Sequence, residues 1–373
     1  MNLPTLKDIK DIKGKKVLLR LDLNVPIKDN KVENDYRIRK SLRTIKFLVD
    51  GGAKIIAVSH IDHTENSLKV VADHLGHQFN VDFVSDLFGE EEQKRFQVMI
   101  EGEIIICENI RNYEGEEKND EEFSKKLAGL ADIYVNEAFS VSHRNHASIV
   151  GVTKFLPHYA GFQFEEEVNK LSEAFNPSHP FLFILGGIKF ETKVPLLEKF
   201  LKSADMVFVC GALANDFFKI QGYETGKSKV SSKQFDFKKM LDTQKISIPN
   251  DVRVKNDQGV FVKLPSEVLK DDTIVDAGPE TLLKFKDMIS KSAFILWNGP
   301  LGAYEDGFSE GTEGVAKLIA ERGVVSIVGG GDTLASIEKL GIEDKFSFVS
   351  TAGGAMLDFL ANETLPGIEA LKS

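Results

Sequence analysis

Short apolar runs rich in β-branched residues alternate with amphipathic stretches along the whole chain. They are Val17–Leu23, Ile55–Ser59, Ile104–Cys107 and Ile133–Val135 in the first half, then Phe181–Leu185, Met206–Val209, Phe294–Trp297, Val324–Val328 and Phe346–Val349 in the second. Strand-like runs separated by helix-length segments predict parallel sheets covered by helices, an α/β fold. Between the halves, Phe164, Val168, Leu171 and Phe175 draw one apolar stripe along a helix that Asn176-Pro177 ends. This helix is expected to connect two domains. No period of about 20–50 residues recurs and no segment is low in complexity, which excludes solenoids and disordered tails.

In open α/β sheets ligands bind beyond the carboxyl ends of the strands, so the residues just past each run matter more than the run itself. The first-half ends carry Asp22 and Asn24, Ser59 and His60, Glu108, Asn109 and Arg111, and Asn136 and Glu137. The second-half ends carry glycines: Gly186-Gly187, Gly211, Asn298-Gly299-Pro300, Gly329-Gly330-Gly331 and Gly353-Gly354. Glycine-edged strands suit a polyphosphate gripped by backbone amides, whereas Arg, His, Asp and Asn suit a small hydroxylated acid recognised atom by atom.

Three constellations sharpen this division. The run Val324–Val328 breaks on Gly329-Gly330-Gly331 into Asp332-Thr333, ahead of a helical segment from Leu334 to Leu340. Glycines let N–H groups approach an anion at a helix N-terminus, and Asp332 would repel that anion unless a divalent cation lay between them; the plainer reading makes Asp332 an N-cap. Lys189 and Lys193, four apart after Gly186-Gly187, put two ammonium groups on one face of a helix start, where the dipole disfavours them unless an anion is present; a solvated lysine face is the alternative. Arg37, Arg111 and Arg144 sit in three connecting segments. Singly each fits a surface salt bridge, while together with Asp22, Asn24 and His60 they can surround a phosphorylated acid. His143 and His146 are expected to support their loop rather than exchange protons.

Length and charge narrow the class. A chain of 373 residues, 42% hydrophobic, exceeds one comfortable core, so two domains are expected. A net charge of -10 argues against nonspecific nucleic-acid or anionic-membrane binding. Cys107 and Cys210 lie inside apolar runs, as buried small hydrophobes rather than a disulfide or metal pair. A charged N-terminus and the lack of any apolar run near the ~20 residues of a membrane span predict a soluble, cytoplasmic protein.

Val17-Leu18-Leu19-Arg20-Leu21-Asp22-Leu23-Asn24-Val25-Pro26, Ser142–Ser148 around Arg144, Gly186–Lys193, Trp297-Asn298-Gly299-Pro300 and Gly329–Thr333 together resemble the phosphoglycerate kinases, in the right order over essentially the whole chain. The resemblance implies two Rossmann-like domains joined by a hinge helix: an acid-binding domain over 1–158 with segment 360–373 packing back on it, an interdomain helix over 159–176, and a nucleotide-binding domain over 177–359. It implies a hinged monomer that closes on its ligands. It further implies that Asp22, Asn24, Arg37, His60, Arg111 and Arg144 hold 3-phosphoglycerate or its acyl phosphate. Lys189 and Lys193 would contact ATP or ADP phosphates and the moving phosphoryl group, with Gly187 beside them. Asp332 would ligate Mg²⁺, Gly330, Gly331 and Thr333 would cradle phosphate oxygens, and Asn298 and Glu305 would meet the phosphate and ribose sides. Arg37, Lys189 and Lys193 are the expected catalytic cations, and no general base is needed because the carboxylate nucleophile carries no proton.

The family string Ser-His-Leu-Gly-Arg-Pro departs here to Ser59-His60-Ile61-Asp62-His63-Thr64, so His63 stands for an anion-binding arginine and Asp62 adds negative charge. On the nucleotide side Ile188, Cys210-Gly211-Ala212 and Thr351-Ala352 add side-chain volume, leaving adenine or guanine preference open. The lost arginine motivates a second reading, a catalytically weak relative that binds nucleotide or phosphate. A nicotinamide dehydrogenase is disfavoured because no well-placed G-x-G-x-x-G with a ribose-binding acid occurs. With His63 as the replacement, affinity for 3-phosphoglycerate is expected to weaken from about pH 6 to 7.5, across the ordinary histidine range; calorimetric titration over that interval checks it, and a flat profile rejects it.

Overall fold

A computed structural model of the chain describes residues 3–62, 67–188, 190–232 and 237–373. Two compact units emerge, Met1–Asn169 together with Thr364–Ser373, and Lys170–Glu363.

In the first unit the strands are β1 (Lys16–Arg20), a small hairpin of β2 (Ile27–Lys28) and β3 (Lys31–Val32), then β4 (Lys54–Val58), β5 (Val81–Val84), β6 (Ile104–Cys107), β7 (Ile133–Asn136) and β8 (His158–Ala160). Six of them form one sheet in the order β5-β6-β4-β1-β7-β8, parallel throughout. Leu19 of β1 lies opposite Ala57 of β4 and Val135 of β7. Val17, Leu18 and Leu19 are all buried, as a central parallel strand covered on both faces requires. Helix Pro366–Ala370 belongs to this unit, where Gly367 N–H donates to Ser142 O at 2.9 Å.

The second unit holds β9 (Phe181–Leu185), β10 (Met206–Val209), β11 (Ile246–Ser247), β12 (Val252–Asn256), β13 (Gly259–Lys263), β14 (Thr273–Ala277), β15 (Phe294–Asn298), β16 (Val325–Gly329) and β17 (Phe348–Val349). Its main sheet runs β11-β10-β9-β15-β16-β17, again parallel. Counting only these strands, that is the doubly wound nucleotide-binding order, whose switch point lies between its first and fourth members, here β9 and β15. A separate antiparallel sheet, β13-β12-β14, has no counterpart in the sequence reading: β12 and β13 are short and β13 is largely exposed.

The apolar stripe forms helix Phe162–Ser172, tightened at its end into a 3-10 turn over Glu173–Phe175. Phe164, Val168 and Leu171 are its buried face, and the division between the units falls within it, after Asn169. Glu137, at the end of β7, is buried and accepts from Gln163 N–H at 3.2 Å and Phe164 N–H at 3.4 Å in the first turn of that helix. Burial pushes its carboxyl up to about 8 despite these donors. Cys107 and Cys210 are free and buried. No helix among the described residues is long and apolar enough to cross a membrane.

The antiparallel sheet braces the chain that leaves β15. Val275 O accepts from Ala303 N–H at 2.8 Å, and Asp276 accepts from Gly311 N–H at 2.9 Å at the start of helix Glu310–Arg322. Gly302 and Gly311 lie so close to Asp276 that a Cβ on either would come within about 2.5 Å of the carboxyl. Burial pushes this carboxyl up to about 6, against the Gly311 and Ala277 N–H groups that pull it down. Asp276→Ala is therefore expected to destabilise the second unit by about 2 kcal/mol, through an unsatisfied N–H and an opened space. Asp276→Asn should lose less, because its carbonyl still accepts from Gly311; urea unfolding midpoints check both.

Candidate functional site

The first unit gathers polar side chains beyond β1, β4 and β6. Asp22, two residues past β1, is buried. It accepts from Arg37 Nη1 at 3.0 Å, from Ser140 Oγ at 2.6 Å and from Asn24 N–H at 3.2 Å. Burial pushes its carboxyl up, but Arg37 and these donors more than offset that and hold it below the usual carboxylate range. Arg37 stands in the first turn of helix Tyr36–Asp50, where the helix dipole opposes a cation, and also reaches Asn24 O at 3.4 Å.

His60 is 3% exposed, with Arg20 Nη2 at 3.4 Å from its Nδ1. An arginine can only donate, so Nδ1 accepts and the ring proton of the neutral imidazole sits on Nε2. Burial, then the charge of Arg20, pushes the imidazolium down to about 3, against the pull of Asp22 and Asp62. His60 is thus a neutral hydrogen-bonding group, not a cation. Arg20 is itself fully buried, donating from Nε to Ser148 Oγ at 2.9 Å and from Nη1 to Leu21 O at 2.5 Å. Ser148 Oγ passes the polarity on to buried Glu116 at 2.6 Å. Sequence reasoning misses Arg20, Ser140, Ser148 and Glu116; the signal for Arg20 is an arginine inside an otherwise apolar strand run.

Arg111 lies in the turn Ile110–Asn112, where Asn109 accepts from Arg111 N–H at 3.1 Å and donates to Ile61 O at 2.8 Å. Its Nη1 donates to Asp62 and its Nε lies 3.5 Å from Glu117 Oε1. Nη2 is buried and has no hydrogen-bond partner among the described residues, an orphaned donor of the kind that costs about 1–3 kcal/mol. Asn24 joins the group through Asp62, donating from Nδ2 at 2.6 Å and accepting from Asp62 N–H at 3.2 Å. These contacts bring Asp22, Asn24, Arg37 and Arg111 into one connected set, and His60 lies within electrostatic reach of Asp22, Asp62 and Arg111. Arg144 is half-buried and its charge, with Arg111's, acts on His146, whose imidazolium burial has already pushed down to about 4. His63 lies outside the described residues.

Other strand-end polar residues prove structural. Glu108 accepts from Ser67 Oγ at 2.5 Å and Leu68 N–H at 3.0 Å, Ser59 Oγ ties Leu23 N–H to Leu21 O, and Asn136 holds the Ala138–Ser142 turn. Their position at a carboxyl end is the same as that of Asp22, so position alone does not separate scaffold from site.

The second unit packs glycine backbones closely together at its switch point, where doubly wound sheets take their ligands. Gly186 N–H donates to Asn298 O at 2.9 Å and Gly187 N–H to Pro300 O at 3.0 Å. A Cβ on Gly211 would lie 2.4 Å from Gly187 N, and one on Gly330 would lie 3.1 Å from Gly299 N. The starts of helices Phe190–Phe200, Ala212–Ile220 and Gly331–Leu340 therefore crowd together around these glycines. Gly299 has φ +93, and a Cβ there would fall 2.6 Å from Lys193 Nζ; only glycine admits both that conformation and that ammonium.

Lys193, in the first turn of helix Phe190–Phe200, is 6% exposed. Its Nζ donates to Gly186 O and to Asn298 Oδ1, the latter at 3.1 Å. A buried ammonium at a positive helix end is not a solvated lysine face. Lys189 lies outside the described residues. The plainer reading of Asp332 as an N-cap fails: the cap is Gly330, at φ +108, and Asp332 lies inside helix Gly331–Leu340. Asp332 is half-buried. Next to it the hydroxyl of Thr333, fully buried, has no hydrogen-bond partner among the described residues. A half-buried carboxylate beside an unsatisfied hydroxyl at a helix start suits Mg²⁺ held with phosphate oxygens, since that ion takes one or two carboxylates plus phosphates rather than an all-protein cage. Among the described residues no cluster of three or more His, Cys, Asp or Glu could hold a metal alone. Glu305 is exposed, on the turn Tyr304–Asp306 within the loop braced by β14.

Comparison with known proteins agrees with this geometry. The family model described as phosphoglycerate kinase matches residues 6–363. The phosphoglycerate kinase of Dictyoglomus turgidum is 41% identical over 390 residues, spanning 99% of this chain and 98% of that protein. The cytosolic phosphoglycerate kinase 3 of Arabidopsis thaliana is 40% identical over 98% of this chain and 97% of its own length. Among solved structures, the phosphoglycerate kinase of Coxiella burnetii superposes with TM-score 0.84 at 36% identity, covering 100% of this chain and 99% of that one. That of Pyrococcus horikoshii OT3 gives 0.87 at 32%, covering 99% and 98%.

Proposed function

The chain belongs to the phosphoglycerate kinase family and carries out its phosphoryl transfer between 1,3-bisphosphoglycerate with ADP and 3-phosphoglycerate with ATP, and from that premise we propose how its residues divide the work. The reading of a catalytically weak binding protein is not favoured, since full-length relatives near 40% identity carry the enzyme's name.

Asp22, Asn24, Arg37, His60, His63, Arg111 and Arg144 hold the acid. Arg111 supplies the clearest support: its orphaned Nη2 is a donor awaiting an anionic oxygen. His60, neutral, donates from Nε2 and orients without adding charge. In the second unit Gly187, Gly330, Gly331 and Thr333 line the polyphosphate, Asn298 and Lys193 meet phosphate oxygens, and Glu305 faces the ribose. Asp332 would hold Mg²⁺, which when bound neutralises charge on the nucleotide phosphates.

Phosphoryl transfer leaves a protein little covalent chemistry, so positioning and charge neutralisation dominate. Two unit charges 4 Å apart repel by about 4 kcal/mol at a protein-like dielectric. Arg37, Lys189 and Lys193 are the cations that offset this as the acid's carboxylate meets the terminal phosphate. That encounter requires the ligand-carrying units to close on each other and expel water. We take the chain to act as a cytoplasmic monomer with no nucleic-acid or membrane partner.

The observation that carries the assignment is the buried Lys193 ammonium at the sheet's switch point. In a coupled assay, Lys189→Ala and Lys193→Ala should each lower kcat by about 10²-fold or more, while the exposed control Lys291→Ala should keep wild-type turnover. Full turnover in both site variants would remove the catalytic assignment, and a wild type that binds ADP without turning over would restore the binding-protein reading.

A further inference from the structure

We propose that Asp62 is a built-in competitor for the acid: its carboxylate occupies Asn24 and Arg111, and the incoming ligand has to displace it. This rests on the reading of those two residues as acid ligands.

Three observations support it. Asp62 engages the two residues at once, accepting from Asn24 Nδ2 at 2.6 Å and from Arg111 Nη1, while its own N–H donates to Asn24 Oδ1 at 3.2 Å. It does so incompletely. A guanidinium offers a planar fork, and an anion that takes two arms gains over one that takes a single arm; Asp62 takes only Nη1 and leaves the buried Nη2 with no partner among the described residues. Finally, the Asp62 side chain is 52% exposed, unlike the buried Asp22, so it can turn into water without dismantling the core.

The carboxylate is ionised at neutral pH. Burial raises its affinity for a proton, but the hydrogen bonds from Asn24 and Arg111, with the charge of Arg111, more than offset this and hold the carboxyl below the ordinary range. Asp62 therefore resembles one carboxylate of a ligand already on the site. A phosphate or carboxylate that reaches both arms of Arg111 outcompetes it, while weak anions do not. Asp62 thus sets a threshold of affinity and selects for oxyanions able to chelate the guanidinium.

A purely structural role makes the opposite prediction. If Asp62 held Asn24 and Arg111 ready for the acid, its removal would weaken binding. The test is calorimetric titration of the full-length protein with 3-phosphoglycerate, comparing wild type, Asp62→Asn, Asp62→Gly, Arg111→Ala and the Asp62→Asn/Arg111→Ala double variant, with ADP titrated as a control. Release of a half-exposed ion pair should tighten 3-phosphoglycerate binding about three- to tenfold in both Asp62 variants, with ADP affinity unchanged. In the Arg111→Ala background the gain should shrink to less than about twofold, because the contact is already gone. Unchanged or weaker binding in the Asp62 variants, with Arg111→Ala weakening binding, overturns the proposal and leaves the site reading intact. An Arg111→Ala variant that binds as wild type overturns the site reading itself.

Discussion

Like charges have to meet: a carboxylate and a polyphosphate must come within bonding distance on a chain whose own net charge is -10. Bulk attraction cannot help, so cations must be fixed at chosen atoms, and a cation withdrawn from water without acceptors is costly. Four of the described cations accordingly have acceptors of their own. Arg37 rests on Asp22, Arg111 on Asp62 and Glu117, Arg20 on Ser148 and Leu21 O, and Lys193 on Gly186 O and Asn298. These partners keep the charges in place before a ligand arrives, and they differ in how readily they give way. The acceptor Asp22 is buried with its cation, whereas Asp62 is half-exposed, the difference on which the proposed displacement rests.

The same electrostatics decide the state of His60. Burial first, and then the positive charges of Arg20 and Arg111, disfavour an imidazolium here, and its pKa falls to about 3. The ring then serves direction rather than charge. Arg20, a residue with no place in the sequence-based set of ligands, fixes which nitrogen carries the proton. In the second unit the equivalent economy comes from glycine: at Gly299 a Cβ would collide with Gly186 O and the Lys193 ammonium, and Gly330 holds a φ of +108 that disfavours a side chain.

Much of this is legible in the sequence because parallel strands announce themselves. Ile104–Cys107, Phe181–Leu185 and Met206–Val209 are strands with the expected bounds, since buried central strands are apolar on both faces. β12, β13 and β14 escape notice because an antiparallel sheet with one exposed edge alternates weakly and β13 carries Val260, Phe261 and Val262 toward solvent. Strand-end position nominates Asp22 and His60 together with Glu108 and Asn136, and only their partners distinguish ligand-facing groups from braces. The pairing of Asp62 with Asn24 and Arg111 joins three distant points of the chain, so no local pattern encodes it. Asp332 does not cap the helix because the helix starts two residues earlier than capping by Asp332 would require, at Gly331 with Gly330 as its cap.

The central claim is that charge neutralisation at the transferring group, and not acid–base chemistry, carries the rate. Its most direct test is Arg37→Ala, measured by single-turnover kinetics alongside calorimetric binding of 3-phosphoglycerate. The account predicts a fall of about 10²–10³-fold in the transfer rate with a far smaller change in affinity. Affinity that collapses while the transfer rate of the bound complex stays at the wild-type value would contradict it.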